Sequence, residues 1–227
     1  MRWVDLLFAH WPVDAAELSA LLPPALELDT YDGGAWLGIV PFRMEDVAVR
    51  GLPSPPVFGA FPEVNVRTYV RHQDRSGVWF LSLHAASRLA VAGARTLFHL
   101  PYFDAVMSAT RDGDAVDYRS RRTDRRAPPA EIALRYRPIC PVEPAIPGSL
   151  EAWLTDRMRV FAVDGEGRVI RTEIRHAPWP LQPAEARFHL NSMATAHGLT
   201  LPDTPPHLRF ARRLAVRGWW PRTDDAG

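Results

Sequence analysis

Apolar and polar positions alternate along FPEVNVRTYV, residues 61–70. Side chains on a strand point to opposite faces in turn. Val64, Val66, Thr68 and Val70 therefore share one face, and Phe61, Glu63, Asn65, Arg67 and Tyr69 share the other. Strands are also expected over 3–10, 78–85 and 131–138, with a last strand within 207–220. Hairpins are expected over 105–120, around Asp112-Gly113, and over 158–175 with a four-residue tip. Residues 35–49 read as a strand pair or one long bent strand. Three short helices are expected. The first, 14–22, has Asp14 as N-cap and Pro23-Pro24 as its stop. The second, 87–101, starts at Ser87, ends at Pro101 and has an apolar face that includes Val91, Ala92, Leu97 and Phe98. The third, 150–157, is capped by Ser149. Segment 51–62 reads as a loop, 72–77 as a turn and 138–148 as a proline-rich connector. Residues 176–188 are expected to be ordered, because Trp179 and Leu181 need burial.

Many strands with a few short helices imply an α+β fold, mostly antiparallel β, as a curved sheet or barrel rather than an alternating parallel fold. Composition is the same on both sides of the connector, so residues 1–227 are expected to form one domain, with the last few residues disordered.

Composition narrows the chemistry. The 227 residues carry 27 basic and 26 acidic side chains, a net charge of +1. That balance argues against a general polyanion binder, and the arginine run RSRRTDRR, 119–126, reads as a solvated face rather than a nucleic-acid site. Every basic residue is arginine; there is no lysine. Cys140 is the only cysteine, so no internal disulfide forms and a cytoplasmic setting is expected. The N-terminal residues do not read as a signal peptide, and no apolar run is long enough to span a membrane. The eight histidines fall in no tight ligand spacing, and no glycine-rich phosphate loop is present, so neither a metal nor another cofactor is expected.

The polar face of 61–70 is the candidate site. Pairing it with 78–85 so that Arg71 faces Val78 sets Arg67 opposite Ser82, Asn65 opposite His84 and Tyr69 opposite Phe80, with the apolar faces matched. Glu63, Asn65, Arg67, Tyr69, Ser82 and His84 then form one patch edged by Phe61 and Phe80. Glu63 and Arg67 lie about 13 Å apart along the strand, too far for a simple ion pair and far enough to bracket a small ligand. A guanidinium at one end can hold a carboxylate or enolate, and a carboxyl group at the other can move a proton. The competing reading is a solvated outer face, against which the aromatic residues of the patch count. Burial raises the pKa of Glu63 and a nearby arginine lowers it; the sequence leaves open which prevails.

LLFAHWPV, AWLGIVPFRM, FPEVNVRTYV, GVWFLSLHA, LPYFDAVM, SLEAWLT and HAPWPLQPAEA, in that order from about residue 3 to about residue 220, resemble the YqjF-like bacterial domain of unknown function, within the acetoacetate decarboxylase-like superfamily. The resemblance implies a curved antiparallel sheet closed into a barrel around a small-molecule pocket, which would turn the polar face inward. Arg43 in VPFRM, Arg95 on the expected second helix and His176 before APW are further polar positions in recognisable motifs, each able to point into the pocket or equally to cap or clamp the structure. The best-known chemistry of that superfamily, a lysine Schiff base with a β-keto acid, is closed to a chain whose one primary amine is that of Met1. Arginine stays protonated and is a poor nucleophile. The expectation is a protein with a small-molecule ligand, anionic or carbonyl-bearing, and two alternatives follow. One is a lysine-independent enzyme with Glu63 and Arg67 as the catalytic pair and Asn65, Tyr69, Ser82, His84 and Arg43 binding substrate. The other is a non-catalytic ligand-binding or interaction module. No nucleic-acid or membrane partner is expected, and a homo-oligomer stays open.

Overall fold

A computed structural model describes residues 1–48 and 59–224. Most of the expected loop 51–62 and the last residues of the chain lie outside these. Strands β1 (Arg2–Val13), β2 (Glu27–Leu28), β3 (Ala35–Glu45), β4 (Phe61–His72) and β5 (Arg75–Ala85) precede the long helix. Strands β6 (Tyr102–Asp112), β7 (Ala115–Arg122), β8 (Glu131–Pro138), β9 (Arg159–Val163), β10 (Val169–His176), β11 (Gln182–Asn191), β12 (His207–Gly218) and β13 (Arg222–Thr223) follow it. The helices are α1 (Ala15–Ser19), α2 (Arg88–Phe98) and α3 (Leu150–Thr155). Each helix starts where a side chain offers an oxygen to its first free N–H groups: Asp14, Ser87 and Ser149 act as N-caps. In α2, Val91 is buried, but Ala92 and Leu97 face solvent.

The strands form one thirteen-stranded sheet. Most pairs are antiparallel, but β5 pairs in parallel with both β6 and β9, which alternation cannot reveal. The pairings run round a ring of nine strands, β12-β1-β3-β4-β5-β6-β7-β8-β11 and back to β12. The ring is uneven, since β11 meets β12 over two residues and β5 meets β6 over three. The sheet is therefore a curved, unevenly closed one and not an evenly laddered barrel. A second closure runs from β5 through β9 and β10 to β12.

Of the strands shared by both closures, β1, β3 and β4 are largely buried on both faces. Val64 and Val66 pack in one core with Leu7, Leu37, Ile39, Tyr118 and Leu134. Leu6, Phe8, Val40, Phe42, Leu83 and Trp179 belong to a second large core, and two smaller clusters lie beyond them. Glu63, Asn65, Arg67 and Tyr69 of β4 are all buried, so the polar face does not meet bulk water.

The expected β4–β5 register is corrected. The turn is two residues, with His72 opposite Arg75 and Gln73 at φ 54°, the tight form that follows strand twist. Arg67 consequently faces Phe80, not Ser82. Leu81 is then an extra residue, because Val66 pairs with Ser82 while Arg67 pairs with Phe80. Beyond this bulge the faces exchange. Asn65 lies opposite Leu83 and Val64 opposite His84.

Candidate functional site

Three adjacent strands build the site. Gly38 of β3 sits between His10 of β1 and Arg67 of β4. A Cβ at Gly38 would come within 2.8 Å of His10 Nε2 and 3.2 Å of Arg67 Cγ. Glycine at this position leaves the room that the two polar side chains occupy.

Arg67 donates from Nη2 to the carbonyl of Leu154 at 3.2 Å and to the Tyr69 hydroxyl at 3.4 Å. Its guanidinium carbon lies 5.3 Å from the centre of the Phe8 ring and 5.7 Å from that of Tyr69. The electron-rich ring faces offset part of the cost of burying the charge. Among the described residues no carboxylate is within ion-pair distance of Arg67, and its buried Nε has no hydrogen-bond partner. Arg157, close by, shows the usual arrangement: its Nη1 meets Asp29 Oδ2 at 2.7 Å, while its guanidinium covers Trp153 and Tyr69.

Tyr69 donates its hydroxyl hydrogen to the Leu154 carbonyl at 2.8 Å, and His10 Nε2 is 2.7 Å from the Tyr69 hydroxyl oxygen. With the tyrosine hydrogen committed, His10 donates from Nε2. Its Nδ1 is left as a buried acceptor without a hydrogen-bond partner. Burial, and next the charge of Arg67, hold the His10 pKa well below its ordinary value, so the ring is neutral. Asn65 Oδ1 is also buried and unpartnered.

Glu63 accepts a hydrogen bond from the Tyr102 hydroxyl at 2.9 Å. Tyr118 donates to the Glu63 backbone carbonyl at 2.6 Å and holds the strand there. Burial pushes the Glu63 carboxyl up to about 8, although the Tyr102 hydrogen bond works in the opposite direction. Desolvation therefore prevails, and Glu63 is a neutral acid at pH 7. No ion pair joins it to Arg67 among the described residues.

Three expected site residues lie elsewhere. The Leu81 bulge turns Ser82 and His84 to the opposite face from Glu63 and Asn65. There Ser82 Oγ is 2.9 Å from His197 Nε2. His84 Nε2 accepts from Arg122 Nε at 3.0 Å, so its Nδ1–H donates to Ser120 at 2.9 Å. Arg43 is on the face away from Glu63 and Arg67, opposite Pro62. It meets Glu45 at 2.9 Å and Asp5 at 4.0 Å, in a cluster that includes Arg212. This cluster braces the bulged turn of β1, where Asp5 has φ 52°. His10, Tyr102 and His197 were not expected as site residues. Only His10, a histidine inside an apolar strand, carried a signal in the sequence.

A cleft of about 600 Å³ opens beside α2 and β5, and a smaller one of about 270 Å³ adjoins it. None of the seven expected site residues lines either. The described residues contain no cluster of three metal-ligating side chains, and no helix among them is long and apolar enough to cross a membrane.

The family model DUF2071, described as an uncharacterized conserved protein, matches residues 1–215. The uncharacterized protein YqjF of Bacillus subtilis (strain 168) is 46% identical over 217 residues, spanning 96% of this chain and 88% of that protein. Among solved structures, acetoacetate decarboxylase from Legionella pneumophila is similar with a TM-score of 0.66 and 16% identity, over 99% of this chain and 86% of its own. The enduracididine biosynthesis enzyme MppR complexed with pyruvate gives a TM-score of 0.67 at 12% identity, over 98% of this chain and 88% of that one. At these identities the two structures establish a shared fold and nothing further.

Proposed function

The chain belongs to the DUF2071 family of uncharacterized conserved proteins, and we propose that it holds a small carboxylated or oxo compound inside an acetoacetate decarboxylase-like barrel. In this reading it acts on that compound by lysine-independent acid/base chemistry. The observation that carries the proposal is Arg67: a buried guanidinium with an unpartnered Nε and, among the described residues, no carboxylate of its own. An unpaired buried charge costs several kcal/mol, and an anionic ligand would supply the missing partner. Glu63, neutral at pH 7, would give a proton or a hydrogen bond to the ligand's oxo oxygen. Asn65 and Tyr69 would orient the ligand, and His10 Nδ1 would accept one of its hydrogens. MppR holds pyruvate on a similar fold, which makes pyruvate the natural first probe. Schiff-base chemistry has no lysine to use. A cytoplasmic, single-domain protein suits the lone, exposed Cys140.

The second reading, a ligand-binding module without catalysis, is favoured by the Tyr102 hydroxyl that already occupies Glu63. Calorimetric titration with pyruvate tests the shared claim. Wild type is expected to bind, and Arg67→Gln is expected to bind at least about tenfold more weakly. Equal affinity, or none in either protein, would remove Arg67 from the site. Turnover followed by NMR then separates enzyme from binder.

A further inference from the structure

β5 pairs with β9 only at Val78 and Trp79, and with β6 only from Leu83 to Ala85. Phe80, Leu81 and Ser82 lie between these pairings with no strand beside them on that edge, among the described residues. The two parallel neighbours part here, and the 600 Å³ cleft fills the seam. Its walls include Trp79, Phe80 and Phe103, and its ionisable groups are Arg95, Arg126, His99 and His197. Among the described residues no carboxylate lines it, and Asp104 lines the adjoining smaller cleft with Arg95 and Arg126. Arg126 is neutralised by Asp124. Arg95 gives one hydrogen bond, from Nη1 to the Tyr102 carbonyl at 3.1 Å, and has no carboxylate within ion-pair distance among the described residues. Arg122 stacks on Phe103 with 4.4 Å between guanidinium carbon and ring centre, and its buried Nη2 has no hydrogen-bond partner. Aromatic walls and unbalanced positive charge together select an anion with a flat apolar body.

We propose that the seam between β6 and β9 is a binding cleft for an aromatic carboxylate, with Arg95 holding the carboxylate and Trp79, Phe80 and Phe103 packing on the ring. The cleft is separate from the buried Arg67 site and does not depend on it. His197, hydrogen-bonded to Ser82, ties its floor to the strand edge.

Benzoate is the probe, with benzyl alcohol as its uncharged counterpart, and backbone amide shifts are followed by NMR. Benzoate is expected to shift the amides of residues 79–81 and 95–103, and to bind at least about tenfold more tightly than benzyl alcohol. Arg95→Gln should weaken benzoate about tenfold, Arg95→Lys should restore most of the affinity, and Arg67→Gln should change it by less than about twofold. Equal binding of the alcohol, or no shifts in folded wild type, would overturn the cleft assignment. Loss of benzoate binding in Arg67→Gln would place the anion in the interior instead and would also overturn it. If Arg95→Gln does not fold, the benzoate and benzyl alcohol comparison on wild type decides alone.

Discussion

Arg67 and Arg157 are both buried and both lie against Tyr69, yet among the described residues only Arg157 has an internal counterion, Asp29. That difference separates a structural arginine from one with binding capacity to spare. Glu63 is the matching acid, and its carboxyl is raised to about 8 from an ordinary 4.5. Between those values the unfolded chain releases a proton that the folded chain keeps, so the Glu63 contribution to stability falls as pH rises, by about 1.4 kcal/mol per pH unit. Glu63→Gln has no proton to release. It should therefore be more stable than wild type at pH 8 and lose little of that advantage at higher pH, while the two converge near pH 4.5. Urea denaturation across this range checks it; a wild type and variant that keep a constant difference would show Glu63 to be ionised in the fold. The chemical types of Glu63, Asn65, Arg67 and Tyr69 and their common face were legible from alternation alone. The loss of a carboxylate partner for Arg67 was not, because a partner can come from any strand.

At the level of elements, the β4–β5 hairpin shows where pattern reading stops. VWFLSLHA contains no glycine or proline to mark a bulge, and a two-residue turn at Gln73 is hidden by the polar run HQDRSG. The turn moves the register by two residues and keeps the faces, and the bulge alone carries Ser82 and His84 to the other face. β11 was read only as ordered chain over 176–188, although AEARFHLN, 184–191, alternates strictly between apolar and polar residues and its burial alternates over most of its length. The three helix starts were legible because N-caps announce themselves locally. α3 matters to the site: its Leu154 carbonyl receives both Arg67 and Tyr69. Ser149→Ala, which removes the cap on Ala152 N, should cost about 1 kcal/mol of stability and weaken pyruvate binding through that carbonyl. A stability loss with unchanged pyruvate affinity would detach α3 from the site.

Over the whole molecule, buried titratable groups pull in opposite directions. His10 is held well below its ordinary value of 6.5, His84 is lowered to about 3 and His197 to about 4, each chiefly by burial. Below pH 6.5 the unfolded chain takes up protons that these folded histidines refuse, so stability falls as pH falls. These three histidines, with His207, which burial also lowers, outweigh the single opposing proton of Glu63 there, and well above pH 6.5 the Glu63 contribution prevails. Thermal stability should therefore peak near pH 6.5 and decline on both sides, with Glu63→Gln removing the decline on the alkaline side up to about pH 8. A wild-type melting temperature that rises steadily from pH 6.5 to 8 would refute this. The mostly-β class and short helices were readable in the sequence; the uneven ring and the parallel pairs at the cleft were not, because they depend on contacts between strands far apart in the chain. The most direct measurement is a crystal structure of the protein soaked in pyruvate. The expected result is the carboxylate within hydrogen-bond distance of the Arg67 guanidinium, with the keto oxygen turned toward Glu63. Hydrocarbon packed around Arg67, with no pyruvate beside it at saturating concentration, would contradict an interior anion site.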